Sequence, residues 1–239
     1  MLMGIDTTYR TKEAEIMDDF LMEGEELRVA LDKIAGINKL LGGNSLTLKA
    51  VKRLVQQMDK TTPITIADIG CGNGDMLRLL ADYGKKANLK FKLIGIDANQ
   101  FTVDYAEKLS TDYDTIAYKC LDIFKPEFAA LQYDIALCTL TLHHFEDSDI
   151  ENILTTFYTN ATTGIIINDL HRSKMAYRLF SLIGQVFHLG EMAKQDGLVS
   201  ILRGFKKHEL EAFSQRLGFK KYSITWRWAF RYEWIIYKT

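Results

Sequence analysis

The chain has 239 residues, 47% of them hydrophobic and 26% charged, with a formal net charge of −1 at pH 7. These proportions belong to a folded globular chain and exclude a disordered or fibrous one, and the balanced charge gives no global pull toward nucleic acid or an anionic membrane. Cys71, Cys120 and Cys138 are an odd number without CxxC spacing, so neither a disulfide framework nor a structural zinc site is expected and the thiols are read as reduced and mostly buried.

The opening "MLMGIDTTYRTKEAEIMDDF" meets charge before an apolar signal core can form, and no uninterrupted apolar run reaches ~20 residues, so a cytoplasmic location without an integral membrane segment is expected. Residues 1–60 read as an N-terminal helical cap. One helical pattern runs through "TKEAEIMDDFLMEGEELRVALDKIAGINKLLGG" and a second through "SLTLKAVKRLVQQM", with Asn44 or Ser45 placed to cap it.

Over residues 61–239 the style changes. Short β-branched runs at 64–70, 90–98, 115–123, 133–142 and 163–170 alternate with helical segments "DMLRLLADYGKKA", "FTVDYAEKLST", "PEFAALQ" and "DIENILTTFYTNA", where Pro126 suits a first helical turn. This alternation predicts a doubly wound α/β sheet.

After Leu170 the rhythm breaks into a helical insertion at about 172–205. Met175, Leu179, Phe180, Leu182, Ile183, Val186 and Phe187 make an apolar face there, read first as packing on the sheet and second as a lid over an apolar substrate or a contact with a membrane surface. In the tail, Trp226, Trp228, Phe230, Tyr232 and Trp234 recur with period two, which predicts two closing strands with a turn at 229–231 and an aromatic row in the core or under a helix. A stacking platform for a ligand is the alternative reading of that row. Lys206, Lys207, Lys220 and Lys221 read as solvated surface.

The stretch "ADIGCGNGD" (67–75) places three glycines between a strand and a helix, so a backbone must pass close to a ligand. A dinucleotide fingerprint requires a glycine where this chain has Asp75. A carboxylate at that helix start repels a pyrophosphate, which disfavours a nicotinamide dinucleotide. Asp97 ends the second strand, the position from which a carboxylate binds ribose hydroxyls, and Asp122 with Ile123 ends the third.

Together "ADIGCGNGD", "GIDAN", "CLDIF" and "YDIALCTLTLHHF" resemble, in order, the motifs of class I S-adenosylmethionine-dependent methyltransferases. The resemblance covers about residues 62–170, with a reasonable continuation to the end. It implies a Rossmann-like, seven-stranded, mostly parallel sheet whose last strand is antiparallel, with S-adenosylmethionine as donor and S-adenosylhomocysteine as product. It also implies that Asp68, Gly70, Cys71, Gly72, Gly74, Asp97, Ala98, Asp122, Ile123 and Thr139 hold the donor: the glycines at the methionyl part and ribose, Asp97 at the ribose hydroxyls, Asp122 and Ile123 at the adenine, Thr139 at the methionine end. Tyr9 and Arg10 are candidates to close over the methionyl carboxylate, Arg10 as its ion partner.

"INDLHRS", "DGLVSILRGF" and "WRWAFRYEW" are similar to small-molecule methyltransferases of polyketide and pigment synthesis, and "LHHF" to quinone methyltransferases. The expected partner is therefore a small, aromatic or apolar acceptor, methylated at oxygen. Carbon methylation of a quinol and a non-catalytic donor-binding module are the alternatives. The D/N-P-P-Y signature that the family uses on nucleobase amines is absent, which argues against nucleic acid. A proton must also leave the acceptor. His144, then His143, and His171 as their rival, are the candidate bases, with Arg172 beside His171 as a candidate to orient an acidic acceptor. "HHFED" lacks a metal-ligand periodicity, so no metal is expected.

Overall fold

In the computed structural model, which describes residues 5–186 and 190–238, seven strands form one sheet. The helices are α1 (Glu25–Leu40), α2 (Gly43–Val55), α3 (Asp75–Ala87), α4 (Gln100–Leu109), α5 (Pro126–Ala129), α6 (Asp147–Asn160), α7 (Lys174–Val186), α8 (Glu191–Arg203) and α9 (Lys207–Arg216). The strands are β1 (Ile64–Ile69), β2 (Phe91–Asp97), β3 (Ile116–Cys120), β4 (Tyr133–Thr139), β5 (Ala161–Leu170), β6 (Tyr222–Arg227) and β7 (Arg231–Tyr237).

The strand order is β3-β2-β1-β4-β5-β7-β6, and β7 alone runs antiparallel to its neighbours. This is the expected Rossmann-like sheet. The register brings Ile69 beside Ile96 and Cys138, Asp97 beside Cys120, and Thr139 beside Asn168, so the carboxyl ends of the parallel strands share one edge. Ligands of open α/β sheets bind in the crevice above that edge, where the strand order reverses.

Alternation along each strand divides the core into two layers. Ile165, Ile167 and Trp234 face α6 and α9, where they meet Phe157, Phe205 and Phe213. Ile66, Ile166 and Ile235 face α2 and α3 and meet Val51, Leu54, Leu77 and Leu80. The central strands are buried on both faces, which is why β1 and β4 read as nearly continuous apolar runs. All three cysteines are free; Cys71 and Cys138 are buried.

Three expectations are corrected. The segment "TKEAEIMDDF" is an extended strap with a single 3-10 turn at Ile16–Asp18, because the Asp196 carboxylate accepts hydrogen bonds from the Ile16 and Met17 amides (2.8 and 3.0 Å) and a tertiary contact overrides helix propensity. Helix α2 starts from Gly42 at φ +79°, and Asn44 lies inside it, donating to Asp75 (2.6 Å) instead of capping. The aromatic row is broken by a turn at 228–230, where Ala229 and Phe230 take φ +62° and +55°. Tyr232 and Trp234 are core, while Trp226 on the edge strand and Trp228 in the turn are exposed. Of the seven apolar positions expected on one helical face, Phe187 and the side chain of Val186 lie outside the described residues.

Replacing the fully buried Phe157 by Ala is expected to cost about 3–5 kcal/mol in urea unfolding. Replacing Trp228, 74% exposed, should change stability by no more than about 0.5 kcal/mol.

Candidate active site

Strand β1 runs into a loop in which Gly70, Gly72 and Gly74 all take positive φ (+72°, +52° and +76°), a conformation that L side chains rarely adopt. Their surroundings differ. A Cβ on Gly70 would lie 2.3 Å from the Thr141 hydroxyl, and one on Gly74 would lie 2.0 Å from the Tyr118 hydroxyl. At Gly72 the nearest atom would be Leu31 Cδ2 at 3.9 Å, so this residue is the open side of the loop. Its amide donates to Asp97 Oδ2 (3.1 Å), and the Asn99 amide donates to Asp97 Oδ1 (3.1 Å). Burial raises the Asp97 carboxyl above its ordinary range against these backbone donors.

The crevice is a cavity of about 780 Å³, within the range that holds a drug-sized ligand. Asp68, Gly70, Cys71, Gly72, Asp97, Ala98, Asp122, Ile123 and Thr139 line it. Gly74 does not; it serves the α3 start and its packing on Tyr118. Asp68 Oδ1 is buried without a hydrogen-bond partner. Burial, reinforced by Asp75 and Asp97, pushes the Asp68 carboxyl up to about 8. Burial also raises the Cys71 thiol, which leaves it inert.

His143 and His144 sit on a 3-10 turn after β4, their rings 4.3 Å apart. His143 is fully buried and holds Asp169 Oδ1 through Nδ1 (2.6 Å), while its Nε2 lies 3.6 Å from Glu15 Oε1. Burial opposes its charge, but Asp169 and Glu15 outweigh burial and raise it to about 9. His144 is partly open to the cavity and is held through Nδ1 by Asp18 Oδ1 (2.6 Å). Asp18 also accepts from Arg203 (2.6 Å); burial would raise its carboxyl, but these two partners hold it low. Ser200 donates to Glu15 Oε2 (2.7 Å), so Glu15 and Asp18 of the strap face the histidines from a wall completed by α8.

Arg10 is corrected. It lies outside the cavity, where Nε donates to the Arg203 carbonyl, Nη1 to Asp147, and Nη2 to the His143 and Phe145 carbonyls, each at 2.8 Å. With its guanidinium also stacked on Phe205, it clamps the strap to the histidine turn. His171 is corrected as well, since it is not part of the cavity wall and its Nδ1 accepts from Trp226 Nε1 (3.2 Å). Arg172 is buried and tied to Glu209 (2.5 Å) and to the Thr7, Thr8 and Gly204 carbonyls.

Glu15, Asp18 and Asp169 are site residues that the sequence does not single out. The first two lie in a segment with helical periodicity, and Asp169 lies inside a strand. Glu15, His143 and His144 each bring one ligand atom within 4.8 Å of the others' and are the candidate metal-ligand set among the described residues. Arg203 Nη1, 3.8 Å from Glu15 Oε1, already supplies a fixed positive charge there and works against a further cation.

The sheet order, the antiparallel β7 and the glycine loop above the strand ends define the Rossmann-like methyltransferase fold. Residues 66–164 match the family model described as a methyltransferase domain. The plantazolicin methyltransferase BpumL in complex with SAH is similar at 20% identity and a TM-score of 0.63, over 90% of this chain and 96% of that one. Magnesium protoporphyrin IX methyltransferase from Synechocystis PCC 6803, with bound SAM, is similar at 14% identity and a TM-score of 0.56, over 93% and 89%. The CurJ carbon methyltransferase is similar at 13% identity and a TM-score of 0.61, over 81% of this chain and 53% of that one. No curated protein matches the sequence. Among the described residues, no helix is long and apolar enough to cross a membrane.

His143 is raised in the folded state from about 6.5 to about 9, so its contribution to stability is fully present below pH ~6.5 and is lost as pH rises through about 9. The urea midpoint is therefore expected to fall between pH 7 and pH 10, and to fall less in His143→Gln.

Proposed function

We propose that the chain transfers a methyl group from S-adenosylmethionine to a small, mostly apolar acceptor, at an oxygen on an aromatic ring. The observation that carries this is the continuity of one cavity, with an acidic, glycine-looped floor at one end and an aromatic chamber beside His144 at the other. The neighbours in complex with SAH and with bound SAM support the donor.

The floor fits a cationic nucleoside. Asp97, fixed by two backbone amides, faces the cavity where ribose hydroxyls would donate to it, with Asp122 and Ile123 set for the adenine and Thr139 for the methionine end. Asp68, whose buried Oδ1 has no partner and whose carboxyl burial holds toward its neutral form, would be drawn toward ionisation by a positive guest. When bound there, S-adenosylmethionine supplies a methyl group on an electrophilic sulfonium. Holding two reactants aligned in such a site can lower a barrier by up to ~7–11 kcal/mol.

This chain's own residues then manage the acceptor. Phe20, Phe124, Phe145, Phe180 and Trp228 give the chamber apolar walls against which an apolar acceptor can lie. His144, with Nδ1 bound to an ionised Asp18, is set to present Nε2 as the acceptor of a hydroxyl proton, and Asp18 stabilises the imidazolium that results. His143, locked between Asp169 and Glu15, positions the His144 ring. Carbon methylation of a quinol is the alternative, favoured by the likeness to a carbon methyltransferase, and it uses the same base. The setting would be cytoplasmic, with a small molecule and not a nucleic acid as partner.

Calorimetric titration is expected to show S-adenosylhomocysteine binding and no NAD binding; the reverse would overturn the reading. Asp97→Ala should weaken S-adenosylhomocysteine about 10- to 100-fold through loss of charged hydrogen bonds. His144→Ala should lower kcat by roughly 10²–10⁴ with S-adenosylhomocysteine affinity unchanged. An unaltered kcat would remove the base and leave alignment alone to carry the rate.

A further inference from the structure

Arg231 opens β7 directly after the 228–230 turn, is 3% exposed, and lines the cavity. Its Nε and Nη1 are buried without a hydrogen-bond partner, and among the described residues it forms no ion pair. The other deeply buried guanidinium, Arg172, is saturated by one carboxylate and three carbonyls. A buried cation left unpaired is costly, so the fold retains Arg231 at a loss unless something else pairs with it.

Its surroundings form a small cradle. Asn38 lines the same cavity; its Nδ2 donates to Asn44 Oδ1, and its own Oδ1, an acceptor, is buried and unpartnered and leaves the binding of an anion to Arg231. Both polar heads converge above Gly43, where a Cβ would lie 1.9 Å from Asn38 Oδ1 and 3.0 Å from Arg231 Nη1. The Gly43 carbonyl accepts from Asn168, which also donates to Thr47, and Thr47 lies 3.5 Å from Thr139, so the cradle adjoins the end of β4. Burial lowers the guanidinium to about 10, opposed by Asp169, and it stays cationic at neutral pH.

We propose that Arg231 is the seat of a carboxylate carried by a ligand of this cavity. The planar fork of a guanidinium matches a carboxylate in bidentate geometry. The inference rests on the cavity being a methyl-donor site. Two carboxylates then qualify: the methionyl tail of the donor and an acid group on the acceptor.

The test compares wild type with Arg231→Gln and Arg231→Met. S-adenosylhomocysteine and methylthioadenosine, which has the same nucleoside thioether without the amino-acid tail, are titrated calorimetrically. Benzoate is observed by saturation-transfer NMR on protein saturated with S-adenosylhomocysteine. If the donor's tail is the ligand, Arg231→Gln weakens S-adenosylhomocysteine about 10- to 100-fold and leaves methylthioadenosine unchanged. If the acceptor's acid is the ligand, both nucleosides bind as in wild type and the benzoate signal of wild type is lost in the variant. Relief of an unpaired charge should also leave the empty Arg231→Met protein at an equal or higher Tm, whereas a merely structural arginine would lower it. Identical binding of all three ligands to wild type and Arg231→Gln overturns the proposal. Failure of wild type to bind either nucleoside would overturn the methyl-donor reading itself, a separate outcome.

Discussion

The pairing of His143 with Asp169, buried at 2.6 Å, is the contact on which the active-site end of the molecule depends. Asp169 belongs to β5 and His143 to the turn after β4, so the pair fixes the height at which the chain leaves one strand relative to its neighbour. Asp169 also accepts from the His143 amide (3.2 Å) and so holds backbone and ring together. Glu15 faces the other side of the same imidazole and brings in the strap. Neither acid would stay ionised at that depth alone; burial favours their neutral forms, and the shared histidine reverses the balance.

The two ends of the cavity use charge differently. At the glycine loop, burial raises Asp68 and Asp97 and holds their carboxyls toward the neutral form. At the histidine turn, Glu15 and Asp18 are held low by His143, His144 and Arg203, and the site is internally compensated. In the proposed reading, a positive guest at the glycine loop would lower both carboxyls again. The histidine-turn arrangement leaves its region near neutral, so that hydrophobic walls can govern what lies against them.

Much of the fold is legible in the sequence because parallel strands buried on both faces give apolar runs of distinctive length, and α3 is bounded by its own loop glycines and apolar spacing. The glycine-loop end of the cavity is legible for a related reason: Asp97 and Asp122 fall where strands end, a position set by local sequence alone. The acids facing the histidines are not. Glu15 and Asp18 sit in a segment with helical periodicity that Asp196, some 180 residues away, holds in a different shape through the Ile16 and Met17 amides. Arg10 and Arg231 show the same limit in opposite senses. Arg10 has the sequence context of a ligand-binding cation but spends its donors on backbone carbonyls and Asp147, whereas Arg231 has the context of an ordinary strand residue and reaches the cavity unpaired. Charge type is local, whereas pairing is a property of the finished fold.

The Arg10 clamp carries a consequence for how the molecule comes into being. Its partners include the carbonyl of Arg203, 193 residues later in the chain, and the Thr11 amide bonds to the Leu202 carbonyl beside it (3.2 Å). One wall of the cavity is thus made from nearly the first described residues, yet part of what it lies against, Asp196, Ser200 and the Leu202 and Arg203 carbonyls, comes only once the chain is synthesised past α8. During translation the strap is only partly anchored while the sheet grows behind it. The cavity is closed late, by a seam between early and late chain.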